Sequence, residues 1–180
     1  MTLQITGFSG SLRKQSLNRS VLTYMDKQFD EIQIVELNAI PLFNADVEAE
    51  GEPESVFAFK KAIKEADGLL IITPEYSHSM PGVLKNALDW AGSMTYENVL
   101  DGKPVMIAGA SPSGMGTGFA QQHLRQVLAA CNALVMPQPQ VYIGGANDKI
   151  TNGALTDEAT TAFLTDAFRS FKTFIESVEK

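Results

Sequence analysis

"LQITGFSGSLRKQSLNRSVLTYM", Leu3 to Met25, joins an apolar run to a loop of small and basic residues and then to a helical pattern. Leu3–Phe8 lacks the regular polar alternation of a half-exposed strand and is read as a strand buried on both faces. Leu17, Val21, Met25 and the Gln28-Phe29 pair follow at helical spacing and form one apolar stripe. The loop between them leaves a strand and enters a helix, so it presents free backbone N–H groups at the positive end of the helix dipole. Gly10 permits a tight turn, Ser11 and Ser16 offer hydroxyls, Arg13 offers a charged fork of donors, and Asn18 can pin the loop. This is a local anion cradle suited to a phosphate monoester. The alternative is that Ser16 only caps the helix and the basic residues are solvated surface, and the loop by itself leaves both open. It matches neither G-x-G-x-x-G nor G-x-x-x-x-G-K-[ST], so neither a dinucleotide fingerprint nor a nucleotide-triphosphatase loop is supported.

Working outward, apolar runs recur at Ile32–Leu37, Leu69–Thr73, Val105–Ala110 and Leu134–Met136. Helical stripes lie between them: Val56, Phe59, Ile63 and Ala66; Leu84, Ala87, Leu88 and Ala91 after Pro81; Leu124, Val127, Leu128 and Cys131. The last helix carries Leu164, Phe168, Phe171, Ile175 and Val178, with Thr156 and Asp157-Glu158 at its start. Strands alternating with helices predict an α/β chain with a parallel sheet, covered on both faces by right-handed crossovers. The strand count favours the flavodoxin-like order 2-1-3-4-5 in a three-layer α/β/α sandwich, with ligands beyond the C-terminal ends of the strands.

The 180 residues, 44% of them hydrophobic, suit one domain spanning 1–180. A net charge of -7 argues against nucleic-acid or anionic-membrane partners, which require a broad positive field. No stretch approaches the roughly 20 apolar residues of a membrane span. Cys131 is the only cysteine, so no internal disulfide or thiolate cluster forms, and a cytoplasmic, soluble, unprocessed chain is expected. The two histidines, His78 and His123, lie far apart in sequence, and no metal site is expected.

Two further loops should open at the same edge of the sheet. Thr73-Pro74-Glu75-Tyr76-Ser77-His78-Ser79-Met80-Pro81-Gly82 follows the third strand and can line a planar ligand, while its prolines also read as turn chemistry. Gly109–Gly118, "GASPSGMGTG", follows the fourth strand and carries four glycines, which either admit a ligand to the backbone or simply leave the loop flexible. Gly109-Ala110-Ser111-Pro112-Ser113 ends in serine where the G-x-S-x-G nucleophile elbow needs glycine, which sets a hydrolase well behind.

"GSLRKQSLN" together with "PEYSHSMPGVLKNALDW" resembles the NAD(P)H-dependent FMN reductase family, which includes quinone, chromate and azo-dye reductases. "GASPSGMGTG" and "QHLRQVL" extend the resemblance over nearly the whole chain. It implies a bound FMN and NADPH or NADH as electron donor, with small-molecule acceptors such as quinones, flavins, azo compounds or metal oxyanions. It implies that Ser11, Arg13, Ser16, Leu17 and Asn18 hold the phosphate, that Pro74, Glu75, Tyr76, Ser77 and His78 border the isoalloxazine, and that Ser111 completes the site. The family often has asparagine where this chain has Ser77, so an amide contact to the flavin would be replaced. A flavin carries the electron chemistry itself, so no protein catalytic acid, base or nucleophile is assigned. The rival is a flavodoxin-like electron carrier without its own reductase activity, which fold alone does not separate; the Pro74–Trp90 segment resembles the reductases. A homodimer or homotetramer is expected, because Leu84, Ala87, Leu88, Trp90 and Ala91 spread over more than one face of their helix and call for a second cover.

Overall fold

The structure is a computed structural model and describes residues 3–178. Five parallel strands, β1 (Ile5–Ser9), β2 (Ile32–Ile34), β3 (Gly68–Ile72), β4 (Pro104–Ala110) and β5 (Leu134–Val135), pair in the order β2-β1-β3-β4-β5. This is the flavodoxin-like order expected from the sequence. Every residue of β3 and β4 is buried, which is why both read as unbroken apolar runs. Leu70, Ile72, Met106 and Ala108 face one layer, made chiefly by α1 (Leu17–Gln28) and α7 (Glu158–Val178). Leu69, Ile71, Val105 and Ile107 face the other, made by α3 (Glu54–Glu65), α4 (Gly82–Ala91) and α5 (Gly118–Ala130). The period-two alternation of strand side chains thus feeds two separate cores.

Four features depart from the sequence reading. The fifth strand is split: after β5 the chain bulges away through Met136–Gln140 and returns as β6 (Val141–Ile143), beside Ala108–Ala110 of β4. Pro137 and Pro139 lie in the gap, and a residue without an N–H cannot donate to the ladder. The expected strand stopped at Met136 and missed β6, which brings the chain back to the C-terminal edge of the sheet. A short acidic helix, α2 (Ala45–Glu50), is capped by Asn44, whose Oδ1 accepts from Asp46 N at 2.9 Å. Helix α6 (Ala146–Lys149) and a small hairpin, β7 (Ile150–Thr151) with β8 (Ala154–Leu155), follow β6.

The start of α7 is capped by Asp157 and not by Thr156. The Asp157 carboxylate accepts from Thr160 N at 2.9 Å, and the hydrogen bonds from Thr160 hold its carboxyl below the usual range. Thr156 instead donates its N–H to Lys149 O, tying the hairpin together.

The fourth departure concerns α4. Leu84, Ala87, Leu88, Trp90 and Ala91 are all buried within the single chain. The segment 41–43 supplies the second cover: Trp90 Nε1 and Asn86 Nδ2 donate to Pro41 O at 2.9 and 2.8 Å, and Phe43 meets the Trp90 ring edge-on at 4.9 Å. The breadth of this apolar helix therefore gives no reason for a partner subunit, which corrects the basis of the oligomer expectation. Among the described residues no helix is long and apolar enough to cross a membrane, and no group of three or more His, Cys, Asp or Glu side chains could hold a metal ion.

Candidate active site

The loops after β1, β3 and β4 meet at the C-terminal edge of the sheet around a cavity of about 360 Å³. Ser11, Arg13, Ser16, Leu17 and Asn18 line it from the first loop, Pro74, Glu75 and Tyr76 from the second, and Ser111 from the third. Ser77 and His78 are not among its lining residues. Gln15, Pro112 and Asn147 are, and the sequence reading missed them. Gln15 lay inside the quoted loop, whereas Asn147 depends on the return of the chain through β6, which no apolar run announced. A larger groove of about 540 Å³ lies beside the starts of β1 and β2. That is the edge opposite to the one where parallel α/β sheets bind ligands, and it contains none of the loop residues.

In the first loop, Ser16 is the N-cap of α1 and its Oγ accepts from Arg19 N at 3.3 Å. Among the described residues, the N–H groups of Leu17 and Asn18 in the first turn meet no protein acceptor, so they remain available to an anion. Capping and anion binding are therefore compatible here. The Asn18 side chain holds two loops together: Nδ2 donates to Ala110 O at 2.9 Å and Oδ1 accepts from Ala110 N at 2.8 Å. Its backbone N–H is free to meet a ligand. Arg19 is neutralised by a two-pronged pair with Glu36. Arg13 has no ion-pair partner among the described residues and lines the cavity, while Lys14 lines only the neighbouring surface grooves.

The second loop is built around a two-residue hairpin. Tyr76 and Ser79 exchange N–H to C=O hydrogen bonds at 3.0 Å each, and the two residues between them, Ser77 and His78, have φ of 50° and 59°. Such left-handed pairs make the tight turn of a β-hairpin and favour asparagine or glycine. The turn carries His78 away from the cavity and stacks its ring on Phe119, with centroids 4.8 Å apart. Ser79 Oγ lies 2.7 Å from His123 Nδ1, so the hairpin is fastened to α5 on both sides. Glu75 adds a third tie, its Oε2 accepting from Phe119 N at 2.9 Å and Ala120 N at 3.1 Å. Thr117, the N-cap of α5, makes no side-chain cap of its own, so Glu75 supplies the missing acceptor from another loop.

The third loop folds back tightly over the sheet. A Cβ on Gly109 would stand 1.7 Å from Thr117 Oγ1 and 2.5 Å from Thr73 O, so only glycine permits this crossing. Ser113 N donates to Ser111 Oγ at 3.1 Å, which holds Ser111 at the cavity rim.

The donor set fits FMN. An unpaired guanidinium, two serine hydroxyls and free helix N–H groups match a phosphate dianion, and the Pro74–Tyr76 wall offers a surface for a flat ring. The sequence model described as NADPH-dependent FMN reductase matches residues 3–148. The chain belongs to the NADPH-dependent FMN reductase family. Within this family of FMN reductases and their relatives, it is 43% identical over 171 residues to a 2-hydroxy-1,4-benzoquinone reductase from a Burkholderia species, covering 91% of each chain. It is 38% identical over 184 residues to the quinone reductase of Escherichia coli K12, covering 98% of this chain and 97% of that one. Among solved structures it is similar to the flavoenzyme NAD(P)H:(acceptor) oxidoreductase FerB of Paracoccus denitrificans, with a TM-score of 0.88, 35% identity and coverage of 97% and 98%.

Proposed function

We propose that this chain is an FMN-dependent NAD(P)H oxidoreductase that reduces small-molecule acceptors, quinones foremost. The observation that carries the reading is the cavity at the sheet edge, where an unpaired Arg13 and free N–H groups converge beside the Pro74–Tyr76 wall. When bound there, FMN supplies two-electron exchange between a reduced nicotinamide and an acceptor. Arg13, the Ser11 and Ser16 hydroxyls and the N–H groups of Leu17 and Asn18 hold the phosphate. Pro74, Glu75, Tyr76 and Ser111 enclose the remainder of the ligand, and the hairpin of Ser77 and His78 fixes the wall from outside. The quinone reductases among the relatives favour this reading over an electron carrier.

Among the described residues no separate dinucleotide-binding domain accompanies the sheet, so nicotinamide and acceptor use one opening in turn. Initial rates with varied NAD(P)H and quinone should give parallel double-reciprocal lines; intersecting lines together with a ternary complex would overturn the shared opening. We place the enzyme in the cytoplasm as a single domain, in keeping with its lone free Cys131.

We further infer a homodimer, with a homotetramer as the larger alternative. The support is an uncovered apolar surface: Leu42 is 84% exposed and Met94 80%, and Val47 and Tyr96 lie on the same two segments, which Tyr96 OH joins by donating to Glu48 O at 2.9 Å. Apolar groups clustered in this way mark association surfaces. Light scattering at micromolar concentration should read a multiple of the 19.5 kDa chain, and Leu42→Glu with Met94→Glu should shift it toward monomer. A fully active species at the monomer mass would refute the assembly.

A further inference from the structure

We propose that Asn147 is an additional ligand of the FMN phosphate, donating a side-chain N–H to it; this rests on the FMN reading of the cavity. Asn147 lines the same cavity as Arg13, Ser16 and Ser111, although it lies far from all three in sequence. Its backbone is anchored on both sides of the third loop: Gly145 N donates to Ser113 O at 3.1 Å and Ala146 N to Ser111 O at 3.0 Å. A Cβ on Gly144 would lie 2.4 Å from Gly114 O, so the segment can approach that loop only as glycine. Ala146 is fully buried in the core shared by α1 and α7. These constraints fix where residue 147 stands, yet its own side chain is exposed and makes no hydrogen bond among the described residues.

A tightly placed backbone that presents a free amide to an anion cavity is the arrangement a ligand contact requires. The phosphate is the better partner than the ring, because the hairpin that follows Asn147 lies beside the first turn of α1: Ile150, Asn152 and Gly153 line one groove with Leu17, whose N–H is free. A neutral amide donates to a dianion without adding to the charge of the loop, and such charge-assisted bonds are stronger than neutral ones.

The test titrates the apoprotein with FMN and with riboflavin, which lacks the phosphate, following flavin fluorescence. Asn147→Ala should weaken FMN about ten-fold and riboflavin by less than about two-fold. Asn147→Asp, of the same size but anionic, should weaken FMN further than Asn147→Ala and again leave riboflavin nearly unchanged. Melting of the apo forms should be the same for all three proteins, since the side chain has no protein partner. Unchanged FMN affinity in both variants, equal losses for FMN and riboflavin, or a lowered apo melting temperature would each overturn the assignment. Wild type binding FMN beside indifferent variants removes Asn147 alone, whereas wild type that binds no FMN removes the cofactor reading and this proposal with it.

Discussion

The first loop and the first turn of α1 carry three cations, and their surroundings assign them different work. Arg19 pairs with Glu36, Lys14 faces the outer grooves, and Arg13 lines the cavity with no carboxylate partner among the described residues. Arg13→Ala should therefore weaken FMN by the ~1.5–3 kcal/mol of a hydrogen bond to a charged group, while Lys14→Ala changes it little. Fluorescence titration decides between them; an unchanged constant in Arg13→Ala with a loss in Lys14→Ala would transfer the phosphate contact to the lysine. At this scale the sequence was informative about chemistry and silent about backbone angles. Arg13 and Ser16 could be picked out as donors, and Asn18 as the pin of the loop, from residue type and position. The left-handed φ of Ser77 could not, since it is a backbone conformation that asparagine and glycine adopt more readily than serine.

Between elements, the decisive bond is that of Glu75 with the N-terminus of α5. It makes the ring wall and the helix behind it one unit, together with the His78–Phe119 stack and the Ser79–His123 bond. Glu75→Ala leaves the first turn of α5 uncapped and should cost about 1–2 kcal/mol of stability, read as a lower urea midpoint of the apoprotein. Glu75→Gln keeps an acceptor oxygen and should recover part of that loss. Equal stability in wild type and Glu75→Ala would show that the cap contributes nothing. Periodicity located α1, α3, α4, α5 and α7, because each turns an apolar stripe toward a core. It failed for β6 and α6, whose few residues are too short to display a period, and it misjudged α4, whose second face is covered by a distant loop at Pro41 and Phe43.

For the molecule as a whole, the alternation of strands and helices was enough to place three loops at one edge, since parallel crossovers leave little freedom in where strand ends point. What it could not supply was the path after β5. Two prolines break the strand there, and only the completed sheet shows β6 returning Asn147 to the ligand cavity. In the proposed function this edge holds FMN and uses it to reduce quinones with NAD(P)H. The measurement that tests it most directly is quinone-dependent NAD(P)H oxidation by the apoprotein before and after loading with FMN. Turnover should be absent without FMN, restored by FMN, and lowered in Arg13→Ala at limiting FMN. An FMN-loaded protein that oxidises neither NADH nor NADPH with any quinone supplied would contradict it.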